Sequence, residues 1–223
     1  MLGFGQQTYV PDDNFEAYLE ASGMGNGIPN DDYVPTSSID TVTYLNVNGE
    51  NISDLTGIED FTYLAELRCK NNQLTTLNVS QNIALTILWC NYNQLVSLNL
   101  GCCINYLSAE GNLLQSLDLS VLSNVDSMTV LQLVNNGGTL DNPYLTCINV
   151  ADTTLWNSPS FFCVIGPNMY FSTNCSSASL QEQTTNKEVL KVTDLLGRHT
   201  KQTNQPLFYI YDDGTVEKRI VIE

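Results

Sequence analysis

Two stretches, LAELRCKNNQLTTLNVSQN (64–82) and LTILWCNYNQLVSLNLGCC (85–103), share one beat at an offset of 21. Leu64, Leu67, Cys69, Asn72, Leu74, Leu77 and Val79 return as Leu85, Leu88, Cys90, Asn93, Leu95, Leu98 and Leu100, while the residues between them drift. A chain that holds apolar side chains and one Asn to a fixed interval places each copy in the same surroundings as the last. In Leu67-Arg68-Cys69 and Leu88-Trp89-Cys90 the alternation has period two. Leu and Cys then share one face and Arg or Trp the other, as a short strand requires.

A period of about 20–29 residues with an L-x-x-L-x-L-x-x-N-x-L core is the sequence sign of a leucine-rich-repeat solenoid. One coil cannot enclose a core, but coils stacked in register at about 4.8 Å bury Leu on Leu and pair each strand with its copy. Asn72 and Asn93 follow the last inward residue of the strand by three positions, where the chain turns inward. A buried amide there can bond backbone groups of its own turn and the next. The expected ladder is Asn72, Asn93, Asn112 and Asn136. A half-period is also present, because Leu74, Leu77, Val79 and Asn82 repeat Leu64, Leu67, Cys69 and Asn72 ten residues on. Each coil should therefore hold two strands facing opposite ways.

Less regular copies follow at Leu107–Asn112 and Leu131–Asn136, and a degenerate one precedes at 43–55. The expected fold is mainly β with a small α N-terminal cap. It is a leucine-rich-repeat solenoid of about five coils with two short parallel β-sheets, plus a C-terminal β-hairpin tail. PDDNFEAYLEASG (11–23) carries helix-start signals and a Gly stop, with Phe15, Tyr18 and Leu19 on one face. The expected division is a signal-peptide remnant (1–9), a helical N-terminal cap (10–42), repeats (43–137), a C-terminal cap (138–175), a Ser/Thr/Gln-rich linker (176–188) and a tail (189–223).

Charge sharpens that division. The formal net charge is −16, and residues 1–186 carry all of it, with Arg68 and Lys70 as their only basic side chains against 18 acidic ones. Such a body repels nucleic acid and anionic membrane surfaces, and no run is long and apolar enough to span a bilayer. Among seven cysteines there is no C-x-x-C pair. Cys69 and Cys90 read as inward repeat residues. Cys147, Cys163 and Cys175 lie past the repeats, where a bridge is expected in an oxidising compartment, with Cys147 and Cys175 the candidate pair.

Chemistry is sparse. The only histidine is His199, and no nucleophile motif, phosphate loop or metal-ligand spacing is present. The expectation is no catalysis, no metal and no cofactor. GNGIPNDD (25–32) lacks calcium-loop spacing and reads as a loop capped by its own Asn and Asp side chains. What remains is a surface. Outward positions of the Leu-x-Cys strands place Arg68, Trp89, Asn91 and Tyr106 on one sheet, with Tyr92 at a strand end. They form either a platform for a protein or glycan, or a cluster that packs on itself or under the tail.

VPDDNFEAYLEASGMGNGIPNDDYV, NISDLTGIEDF, the LxCxxNQL and LNVSQN repeats and LTCINV together resemble leucine-rich-repeat proteins secreted by Bacteroidetes-type bacteria. The tail KVTDLLGRHTKQTNQPLFYIYDDGTVEKRIVIE (191–223) resembles the C-terminal sorting signal of their type IX secretion system. Its D-L-L-G-R and Y-D-D-G-T-V-E-K-R-I-V blocks carry Asp194, Gly197, Arg198, Asp212, Asp213, Gly214 and Lys218. The resemblance implies partnership with the secretion machinery, and a product that is secreted or held at the outer-membrane surface. One departure is plain: the full sorting domain is a larger β-sandwich than about 35 residues can build.

Overall fold

The computed structural model describes residues 5–122, 130–134, 142–153, 162–166, 168–175, 189–193, 206–211 and 216–220. The chain divides into two compact units, Met1–Ser176 and Ser177–Glu223.

The first unit opens with strand β1 (Gln7–Tyr9), antiparallel to β2 (Tyr33–Pro35), with helix α1 (Asp13–Ala21) between them. This corrects the leader boundary at residue 9. Thr8 is buried and its hydroxyl donates to Asp60 Oδ2 at 2.6 Å, so Gln7–Tyr9 belong to the folded cap. The partner strand lies some 25 residues downstream, which local pattern does not reveal. Helix α1 buries Phe15 and Leu19, and the Phe15 ring lies 6.3 Å from that of Phe61 beneath it. A short helix α2 (Thr36–Ile39) then leads into the first coil.

Parallel strands on two sides carry the solenoid. The first sheet contains β3 (Tyr44–Asn46), β4 (Glu66–Arg68), β6 (Ile87–Trp89), β8 (Tyr106–Ser108), β10 (Val130–Gln132) and β12 (Phe162–Val164), in that order. On the opposite side β5 (Thr76–Asn78) pairs with β7 (Ser97–Asn99), and β9 (Leu117–Asp118), β11 (Cys147–Asn149) and β13 (Tyr170–Ser172) form a separate ladder. Leu45, Leu67, Leu88, Leu107 and Leu131 stand in one register and are all buried. On the far side Leu77 stands against Leu98 and Leu117 against Ile148. The architecture is a leucine-rich-repeat solenoid.

The 138–175 segment, expected as a cap, continues the winding in its described residues. Strands β11, β12 and β13 extend both sides. Their distance from the preceding copies, 31 residues from β9 to β11 and 32 from β10 to β12, hides the beat. Cys147 and Cys175 are joined by a disulfide, while Cys163 is a free, half-buried thiol.

Gly57 marks a close approach. Its φ of 100° lies in the left-handed region, and a Cβ there would stand 2.8 Å from the Tyr9 carbonyl oxygen. Gly57→Ala is therefore expected to destabilise the first unit by about 2 kcal/mol, read as a lowered unfolding midpoint in urea. An unchanged midpoint would contradict this packing.

The second unit is a three-stranded antiparallel sheet of β14 (Val189–Thr193), β15 (Pro206–Tyr211) and β16 (Val216–Ile220). Among the described residues, no helix is long and apolar enough to cross a membrane.

Candidate functional site

Strand alternation decides which side chains leave the first sheet. With the central Leu of each strand inward, the flanking positions point outward, and parallel register aligns them in columns. One column runs Tyr44, Glu66, Ile87, Tyr106 and Val130; the other runs Asn46, Arg68, Trp89, Ser108 and Gln132.

Four of these side chains form a continuous array across β3, β4, β6 and β8. The Trp89 and Tyr106 rings stack at 4.9 Å between centroids with 17° between planes. The Arg68 guanidinium carbon lies 5.5 Å from the Trp89 ring centre and 5.5 Å from that of Tyr44. Arg68 Nε also donates to Glu66 Oε1 at 2.6 Å. That bond raises the Arg68 pKa above its ordinary value, opposed by partial desolvation and aided by the Glu66 charge. The guanidinium thus lies over two rings while Glu66 holds its Nε, and each cation–π contact contributes about 0.5–1 kcal/mol. Tyr44 remains 48 % exposed. The Tyr106 hydroxyl is pushed above its ordinary pKa by burial and by the nearby Glu110 charge, with Arg68 acting the other way.

The structure brings Arg68, Trp89 and Tyr106 together. Tyr92 has φ 55°, at the turn position held by Asn71 and Gly111 in neighbouring coils. Its ring covers Gly111, where a Cβ would meet Tyr92 Cδ1 at 2.5 Å. Asn91 sits at the foot of the array and is buried. Tyr44 was missed, although TYLNV carries the signal; a first coil offset by 22 instead of 21 obscures its column.

The asparagines form a hydrogen-bonded ladder beneath the array. Asn72 Oδ1 accepts from Ile52 N, while its amide donates to Val47 O and Cys69 O. Asn93 repeats this with Leu74 N, Cys69 O and Cys90 O, and Asn112 with Leu95 N, Cys90 O and Ala109 O. Each amide thereby ties one coil to the one before. The next rung is Asn142, which accepts from Leu114 N and donates to Ala109 O and Leu133 O. Asn136, expected in that place, lies outside the described residues. Asn142 follows Leu133 by nine residues rather than three, so spacing alone does not find it.

Cys69 and Cys90 are buried in adjacent coils, and desolvation pushes the Cys69 thiol up to about 12 and the Cys90 thiol well above its ordinary value. Such thiols are poor nucleophiles. In the cap, Asp13, Glu16 and Asp32 bring carboxylate oxygens within 4.8 Å of one another. Glu16 already accepts from the Asp31 and Asp32 amides. The 25–32 loop is tied by Glu20, which accepts from Asn26 N and Gly27 N, and by Asn26, which donates to Asp31 Oδ2 and Tyr33 O. Of the tail residues, Lys218 lies on β16 opposite Phe208, whereas Asp194, Gly197, Arg198, Asp212, Asp213 and Gly214 lie outside the described residues.

No family model matches the chain. A stretch of 74 residues, 33% of the chain, is 36% identical to Internalin J of Listeria monocytogenes serotype 4b and covers 8% of that protein. Among solved structures, the functional domain of InlJ from Listeria monocytogenes, described as including a cysteine ladder, is similar over 79% of this chain and 49% of that one, with 22% identity and a TM-score of 0.43. The internalin InlF from the same species is similar over 70% of this chain and 51% of that one, with 21% identity and a TM-score of 0.47. The chain thus spans about half of each solved chain and a small part of the curated relative.

Proposed function

We propose that the chain is a secreted or cell-surface, non-enzymatic interaction module, whose first sheet receives an extracellular protein or glycan. The observation that supports this most is the Tyr44–Arg68–Trp89–Tyr106 array. Large rings and an oriented guanidinium on a solvated sheet have the composition of interface anchors, where aromatic residues and Arg dominate binding energy. The internalin likeness over 74 residues agrees with a leucine-rich-repeat interaction role. Trp89→Ala is expected to weaken retention on cell-surface protein or glycan panels by at least tenfold while leaving the fold intact. Unchanged retention would favour the second reading, a passive spacer whose rings only pack on one another, as Trp89 and Tyr106 do.

We also propose that residues 189–223 act as a type IX sorting signal, whose two matching blocks contain Asp194, Gly197, Arg198, Asp212, Asp213, Gly214 and Lys218. Support comes from the two ungapped sequence blocks and from the compactness of the second unit apart from the solenoid. Deleting residues 189–223 is expected to abolish appearance in the medium or at the surface. Export that persists at the normal level would remove the sorting role.

A further inference from the structure

A buried carboxylate without a cation stands beside the aromatic array. Glu110 is 6% exposed, and its Oε2 accepts from the hydroxyl of Ser108, itself 1% exposed, at 2.7 Å. No ion pair reaches Glu110; the one among the described residues joins Arg68 to Glu66. The composition explains why. Within Met1–Ser176 the only basic side chains are Arg68 and Lys70, so the solenoid has almost nothing with which to neutralise a buried Glu. Burial of an uncompensated carboxylate is costly, and a cation arriving from outside offsets that cost.

At the equivalent position of the preceding coil is an unmet acceptor. Asn91 is the equivalent residue one coil earlier: Trp89 stands opposite Ser108 in the sheet, and each of the two lies two residues further on. Asn91 is 5% exposed, and its Oδ1 is buried and receives no hydrogen bond. Adjacent strands hold such neighbours about 4.8 Å apart. A carboxylate that meets the Ser108 hydroxyl and no cation, and an amide oxygen that meets no donor, stand at equivalent positions of adjacent coils and call for an incoming charged donor. The stacked Trp89 and Tyr106 rings belong to the same two strands, Trp89 two residues before Asn91 and Tyr106 two before Ser108.

Resting on the interaction reading above, we infer that Ser108, Glu110 and Asn91 form a subsite for an organic cation, the ammonium or guanidinium of a Lys or Arg on a protein partner. The methylene stem of such a side chain lies along the ring pair while its charged head reaches Glu110 and Asn91. A divalent metal fits less well, since calcium takes about six to eight oxygens and three groups are present. A neutral sugar would leave the carboxylate charge uncompensated. The strongly acidic solenoid adds long-range attraction for a basic partner.

The test is an NMR titration of the 15N-labelled full chain with Nα-acetyl-lysine amide and, separately, with the neutral isostere Nα-acetyl-norleucine amide. Lysine amide is expected to shift the Trp89 indole, the Asn91 side-chain amide and the Glu110 backbone amide, with norleucine amide at least tenfold weaker. Glu110→Gln keeps an acceptor for Ser108 and removes the charge, and should weaken lysine amide binding at least tenfold. Equal shifts from both probes, shifts confined to other residues, or undiminished binding by Glu110→Gln would each overturn the inference. So would saturation of the same resonances by calcium chloride in preference to lysine amide. The norleucine control uses the unaltered chain, so misfolding of the variant would not rescue the idea. Trp89→Ala on surface panels reports on the interaction reading alone, so the two can fail separately.

Discussion

Replacing Asn93 with alanine is expected to lower the stability of the solenoid by about 3–4 kcal/mol, measured by urea unfolding followed by circular dichroism. The Leu74 N–H loses its acceptor, Asn93 Oδ1, at 3.1 Å. Leu74 is fully buried, so water has little access to that amide. An orphaned buried donor costs about 1–3 kcal/mol. Cys69 O and Cys90 O each lose one of two amide donors, keeping those from Asn72 and Asn112 respectively. The remainder of the loss comes from the space left between the coils. Asn93→Leu should not rescue stability, because an apolar side chain fills volume without accepting from Leu74. A loss below about 1 kcal/mol would mean that the ladder is decorative.

Asp12→Ala is expected to cost about 3 kcal/mol and to detach the N-terminal cap. One carboxylate performs two tasks there. Its Oδ1 accepts from Asn14 N and Phe15 N and starts helix α1. Its Oδ2 accepts from the Ser53 amide, the Ser53 hydroxyl and the Asp54 amide of the first coil. Burial alone would raise its pKa; the hydrogen bonds from Ser53, Phe15 and Asp54 outweigh burial and hold it below the ordinary aspartate value. A depressed carboxylate contributes stability that is complete above its unfolded pKa of about 3.9 and is lost as pH falls through the lower folded value. Unfolding midpoints compared from pH 6 to pH 2 should therefore fall more steeply below pH 4 for the wild type than for Asp12→Asn. Parallel curves for the two would show that Asp12 does not couple cap to coil.

Much of this molecule was legible because its core is periodic. Leu67 and Leu88 occupy the same environment, so the sequence repeats the same demand every 21 residues. Phe15 and Leu19 likewise announce a helix face. Irregular returns were not legible. Asn142 reaches the ladder after a longer excursion than Asn72, Asn93 or Asn112 makes, and Phe162–Val164 joins the first sheet after 32 residues without a copy. Gln7–Tyr9 has no apolar run and becomes a strand only because Tyr33–Pro35 lies beside it. The candidate surface divides in the same way. Trp89 and Tyr106 can be placed outward from strand alternation alone, whereas Tyr44 enters only when register sets it across from Arg68.

From its residues alone the chain determined a coiled stack with two strands per turn, a helical lid at its start and a nearly cation-free body. Those properties follow from local alternation, repeat length and composition, none of which requires a partner segment. Tertiary structure decided which rings meet the Arg68 guanidinium, that Asn142 supplies a rung, that Glu110 lies buried without a cation and that Asn91 Oδ1 lies buried without a donor. Each of these depends on which coil lies against which. Hydrogen bonds and charges act over a few ångströms, and only stacking brings residues 20 or more positions apart within that reach.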